Sequence, residues 1–270
     1  MTGLGKRQLL DLARRLSDRD LELVATVERF RLMQGEQLRR LFFHEISSEA
    51  GSARISRRAL ARLTDHGLLE RLERTVGGTR AGSSGHIYAA TAAGKRLLDY
   101  TAGRGIASHR GSYEPSAGFV AHTLAISKLY VQLVESERAG IVELAVFETE
   151  PSCWRRYATT LGANAILKPD AHAILAAGEY EHASFVEIDL ATAARQAVLA
   201  KLRSYLDYYR SGREQALADW FPRVVWLSPN ERRAAFIGEL IRTLPALGQQ
   251  LFVWGQLGDA LRPLLGEQRS

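Results

Sequence analysis

Residues 165–210 constrain the fold most, because an apolar period of two gives way there to a period of 3.6 within a few residues. An apolar run at 172–177 is followed by the turn pair Gly178-Glu179 and a second run at 183–190. Side chains alternate along a strand, so Phe185, Glu187 and Asp189 fall on one face and Val186, Ile188 and Leu190 on the other. The two runs read as a hairpin. Residues 192–210, with Val198, Leu202, Tyr205 and Tyr209 in one stripe, read as the helix that follows. Asp170 opens the first run, so Asp170, Glu187 and Asp189 are expected to converge at one end of the hairpin, with Lys201 on the helix nearby. Two readings of this cluster stand side by side. In one, the carboxylates hold a hard divalent cation and the lysine offsets charge on a phosphate. In the other, Asp189 caps the helix N-terminus and Glu187 pairs with Arg195 or Lys201.

The first third of the chain has a different character. Residues 1–17 read as a basic arm or a short helix. Ser17 or Asp18 is a good N-cap, and Leu21, Leu23, Val24, Val27 and Phe30 recur at helical spacing. A second helix is expected over 35–43 and a third over 53–66, stopped by Gly67. On the third helix Ala59, Leu60 and Leu63 share one side, while Arg54, Arg57, Arg58 and Arg62 lie on the other. Strand-like stretches at 68–75 and 86–90 flank a glycine-rich tip, 77–85, that carries Arg80. A short helix over 92–100 closes the unit.

Three helices followed by a hairpin is the order of a winged helix-turn-helix, whose third helix enters the major groove of DNA while the wing follows the backbone or the minor groove. A plain solvated surface is the alternative meaning of the four arginines. Charge placement favours DNA. Residues 1–101 hold 18 Lys+Arg against 12 Asp+Glu, the remainder is balanced, and the pI near 9.6 is set by the first part. Double-stranded DNA is the expected partner, with Arg54, Arg57, Arg58, Arg62 and Arg80 as its contacts. No nucleotide loop is present: no GK[ST] follows 77–85, and Ala89 stands where a loop ending at Gly94-Lys95 needs its first glycine.

The expected organisation is an arm at 1–17, a winged-helix domain at 18–101, a Gly/Ser/Pro-rich linker at 102–118 and an α/β domain at 119–270, making an α+β protein. The second domain reads as helix 119–137, strand 141–147, an irregular stretch 148–163, the hairpin, its helix, strand 221–227, helix 229–244, strand 250–253 and a terminal helix over 256–265. His122, near the start of the first of these helices, reads as a packed or capping residue. Cys153 is the only cysteine, so neither an internal disulfide nor a zinc spacing is available. Residues 1–16 lack an apolar signal core, and no run approaches the roughly 18 apolar residues that span a bilayer. A cytoplasmic protein without a membrane partner is expected.

Helix, three strands, helix and strand, with Pro169-Asp170 and Glu187-Ile188-Asp189 on the second and third strands, resembles the PD-(D/E)xK nuclease-like fold. That resemblance implies Asp170 and Glu187, with Asp189 beside them, as ligands of Mg²⁺ or Mn²⁺. It also implies a catalytic lysine two residues after the glutamate. Asp189 occupies that place, so the lysine would come from Lys201 on the next helix or from Lys168. The chain as a whole is similar to the replication-relaxation family of bacterial plasmids and integrative elements. The similarity rests on Leu38-Arg39-Arg40-Leu41, on residues 58–68, on His122, on Lys168-Pro169-Asp170, and on Glu187-Ile188-Asp189 followed by residues 201–208. It implies a role in replication, relaxation or mobilisation, with a relaxase or another mobile-element protein, or a second copy of the chain, as protein partners. The favoured function is a DNA-binding accessory protein whose nuclease-like domain, which would supply Asp170, Glu187 and Lys201 as catalytic residues, is degenerate. A Mg²⁺-dependent nuclease and a winged-helix transcriptional regulator are the alternatives.

Overall fold

The computed structural model describes residues 5–72, 85–104, 115–159 and 162–267. The chain divides into two compact units, Met1–Val131 and Gln132–Ser270, and its fold is mixed α+β.

In the first unit α1 (Lys6–Ala13) precedes α2 (Asp18–Phe30). Ser17 caps α2: its Oγ accepts from the Asp20 amide at 3.2 Å, and the Asp20 carboxylate accepts from the Ser17 amide at 3.2 Å. The two bonds satisfy backbone donors that a helix start leaves without partners. Next come β1 (Met33–Gln34), α3 (Gly35–Phe42) and α4 (Glu49–Asp65). The third helix therefore begins earlier than the 53 expected, because Ser48 supplies the N-cap by accepting from the Gly51 amide. β2 (Leu69–Leu72) and β3 (Ile87–Ala90) pair antiparallel, and β1 joins the free edge of β3. α5 (Ala92–Thr101) then packs against α2. Leu23, Val24, Leu38, Leu60, Leu63 and Leu97 are buried in this unit.

α6 (Ala117–Arg138) follows, so the domain start expected at 119 falls inside a helix that runs through the division between the units. Among the described residues α6 is the one helix long and apolar enough, by length and composition, to cross a membrane. No such segment was expected. Small and polar residues such as Thr123, Ser127 and Lys128 interrupt the apolar run, while the mean hydropathy over an 18-residue window still reaches 1.3. Val120, Leu129, Val131 and Leu133 on it are buried within the protein.

The second unit is built on a five-stranded sheet in the order β10-β9-β8-β7-β4: β4 (Glu143–Thr149), β7 (Ala171–Ala177), β8 (Tyr180–Ile188), β9 (Arg223–Ser228) and β10 (Phe252–Gln256). β4, β7 and β8 are mutually antiparallel, whereas β8, β9 and β10 are parallel. Parallel neighbours need crossover connections. These are α7 (Arg195–Arg210) with α8 (Arg213–Ala218), and then α9 (Glu231–Arg242) with α10 (Ala246–Gln249). A 3-10 turn at Leu257–Asp259 and α11 (Leu261–Leu264) end the fold where one longer helix was expected. The stretch 148–163, expected to be irregular, contains β5 (Arg155–Ala158), which pairs with β6 (Asn164–Leu167). Four residues reading Arg-Arg-Tyr-Ala carry too little alternation to announce a strand.

α7 and α9 share one core with the sheet, in which Phe185, Val198, Leu202, Tyr205, Trp226 and Ile237 are buried together. Full burial of such side chains contributes about 1.5–3 kcal/mol each. The register places His172 opposite Phe185 and Phe185 beside Val224, and Glu187 beside Trp226. Glu187 therefore lies on the covered face, at the end of the row of aromatic and aliphatic side chains on which α7 sits.

Candidate functional site

β7 and β8 bring Asp170 and Glu187 together as the alternation required. The register Ala171↔Val186 extends to Asp170 opposite Glu187, and the Asp170 amide donates to the Val186 carbonyl at 3.0 Å. Both carboxylates are buried, with 9% and 5% relative exposure. Burying two acids side by side is costly unless each is compensated. Asp170 Oδ2 accepts from the Ile188 amide at 2.7 Å. Glu187 Oε1 takes two donors from α7: the Tyr205 hydroxyl at 2.5 Å and Lys201 Nζ at 3.1 Å. Lys201 and Tyr205 are one helical turn apart, so a single face of α7 delivers both. Lys201 also donates to the Lys168 carbonyl at 2.7 Å.

Burial, with the Asp170 carboxylate adding to it, pushes the Glu187 pKa up to about 8. Lys201 and the Tyr205 hydrogen bond pull the other way and do not offset it. Burial works against the charge on Lys201, yet Glu187, Asp170 and Glu150 together hold its pKa above the ordinary lysine value. Each partner's shift thus reflects a site that is rich in acid and poor in water.

The other expected members of the cluster go elsewhere. Asp189 lies just past the end of β8 and turns to α9. Its Oδ2 accepts from Arg233 Nη2 at 2.7 Å and Nε at 3.1 Å, and its Oδ1 from the Ala191 amide at 2.6 Å. It neither joins Asp170 and Glu187 nor caps α7, which begins at Arg195 with Ala194 at its N-cap. Lys168 lays its ammonium over the Trp154 ring at 4.4 Å. Glu187 pairs with Lys201, not with Arg195. His122 is on α6 within the first unit.

Sequence reasoning placed Tyr205 in the apolar stripe of α7 and missed its hydroxyl. The signal available was its spacing of four from Lys201. Arg233, 44 residues beyond Asp189, left no local signal.

Two carboxylates on adjacent strands suit a hard cation that keeps several of its waters. Asp170 and Glu187 would hold Mg²⁺ or Mn²⁺, whereas Asp189 has its oxygens occupied. Among the described residues no group of three or more His, Cys, Asp or Glu is placed to hold a metal ion. A cleft of about 260 Å³ between α9, β10 and α11, lined by Glu231, Trp254 and Arg262, is a separate feature of the unit.

In the first unit Arg54, Arg57 and Arg58 are exposed on α4. Arg57 Nε bonds back to the Ala53 carbonyl at 3.0 Å, and Arg54 and Arg58 have no ion-pair partner among the described residues. Arg62 differs: its Nη2 lies 2.6 Å from Oδ1 of the buried Asp20, tying α4 to α2. Burial opposes ionisation of Asp20, but Ser17 and Arg62 outweigh it and hold the carboxyl below its ordinary pKa. Arg80 and most of the expected wing tip lie outside the described residues.

A mixed α+β chain in two units, one with an arginine-faced helix and the other with a buried acid–lysine pair on a mixed sheet, narrows the class. A family model described as replication-relaxation matches residues 24–224, and the chain belongs to the replication-relaxation family. Membership points to a replication- or relaxation-related role on mobile elements. No curated protein and no solved structure matches the chain.

Proposed function

We propose that this protein is a DNA-binding accessory factor of a mobile element. The first unit would act as a winged helix that holds duplex DNA, and the second as a nuclease-like domain that binds a divalent cation without robust cleavage. The observation that carries the reading is the exposed arginine face of α4, on a unit that holds all of the chain's surplus positive charge. Phosphate-contacting arginines release condensed counterions, so binding should weaken steeply with salt. The experiment is duplex binding across a salt series for wild type and the Arg57→Ala/Arg58→Ala double variant. The variant should bind more weakly, and each lost phosphate contact should lower the salt slope by about one unit. Wild-type affinity and slope in the variant would remove α4 as the DNA-binding helix.

A second reading, a Mg²⁺-dependent nuclease, draws support from one contact: Lys201 reaches Glu187 at 3.1 Å although it is not in the expected place two residues on. A bound cation would activate water and screen a phosphate. For their part, Asp170 and Glu187 would bind it, Lys201 would offset anionic charge, and Tyr205 would fix the Glu187 carboxylate. The degenerate reading is preferred because Asp189, in the lysine's place, is held by Arg233. A relaxase or another protein of the element is the partner this role calls for, in the cytoplasm.

A further inference from the structure

α4 packs Ala59, Leu60 and Leu63 inward, but its first turns depart from the usual distribution of polarity. It buries Ser52 and Ser56, at 2% and 3% exposure, and leaves Ile55 37% exposed. The serines are accommodated, Ser52 Oγ donating to the Phe43 carbonyl at 2.9 Å and Ser56 Oγ to Ala53 at 3.3 Å. Ile55 is the one large apolar side chain exposed on this helix. Its position is specific. Ile55, Arg58 and Arg62 follow at i, i+3 and i+7 and so form one stripe, with Arg54 adjoining it. Arg62 is held by Asp20 at the far end of the stripe, whereas Ile55 lies in the half of α4 nearer its N-terminus, the half a recognition helix presents to base edges, and Arg58 follows one turn on, just past the middle.

The major groove offers hydrogen-bonding groups to arginine and a single apolar group, the thymine C5-methyl, to a side chain such as isoleucine. We propose that Ile55 is a specificity-determining residue that packs on a thymine methyl beside a base pair read by Arg58. This rests on α4 being the DNA-binding helix, and adds that the preferred site carries a thymine whose methyl group is recognised.

The test uses the full chain. A preferred duplex is selected from a random pool with wild-type protein, and each thymine in it is replaced in turn by deoxyuridine, which lacks only the methyl. One replacement should weaken wild type about fourfold, the value of one buried methyl-sized group. The Ile55→Ala variant should bind the thymine duplex about as weakly as wild type binds the deoxyuridine one, and should be indifferent to the replacement. Ile55 is on the surface, and an unchanged circular dichroism spectrum and melting temperature would show that the variant folds. If no replacement matters, or if Ile55→Ala keeps the sensitivity, the inference is overturned while DNA binding by α4 stands. If the pool yields no preferred duplex, sequence reading by α4 fails altogether, and the inference fails with it.

Discussion

Glu187 is buried at the end of a sheet row with Asp170 opposite, and its carboxyl is pushed up to about 8. In the unfolded chain the same group ionises near 4.5. The folded state therefore keeps a proton that the unfolded state releases, and Glu187's stabilising contribution is present below 4.5 and lost as pH rises toward 8. In chelator-containing buffer, the urea midpoint of wild type should fall between those pH values relative to Glu187→Gln. Parallel curves would mean that Glu187 is ionised throughout. A divalent cation should reverse the penalty. Mn²⁺ at a hundredfold excess over its Kd should stabilise wild type by about 2.7 kcal/mol, and Asp170→Ala should lose that response in a thermal melt. Identical shifts in both proteins would place any bound metal elsewhere. At this scale Asp170, Glu187 and Lys201 were legible, because alternation on a strand and the position of the following helix fix where they meet. Asp189 was misread, because its partner Arg233 arrives from α9, four elements beyond β8, and no local pattern links the two.

Elements were legible where a period ran long enough. α2, β7, β8, α7 and α9 lie close to their expected places, while β1, β5 and β6 hold two to four residues each and show no usable period. Gly94 illustrates a residue whose meaning appears only in packing. Its neighbours Lys95 and Arg96 bring a nucleotide loop to mind, but it sits in α5 where a Cβ would lie 2.3 Å from the Leu68 carbonyl oxygen. That oxygen accepts from the Thr91 amide at 3.0 Å, holding β2 to the start of α5. Because the obstacle is backbone, it cannot swing aside. Gly94→Ala should destabilise the first unit by about 1–3 kcal/mol, the usual range for overpacking, measured by urea unfolding. An unchanged midpoint would mean that α5 shifts freely. The Asp20–Arg62 bridge between α2 and α4 is a similar case, since Arg62 looks like its arginine neighbours in sequence and differs only in having a buried partner.

For the whole molecule, the net positive charge that the sequence places in residues 1–101 falls in the first unit, and the second unit is slightly acidic; the break between them was not legible, because α6 runs through it. The central claim is that the chain holds duplex DNA and does not cut it efficiently. The most direct measurement is a supercoiled plasmid incubated with the full chain in Mn²⁺, run on a gel before and after the protein is digested away. The expected result is a retarded plasmid that returns to the supercoiled position once protein is removed. Two results would contradict the claim: no retardation at all, or conversion to open circle that disappears in Lys201→Ala, which would make the chain a nuclease.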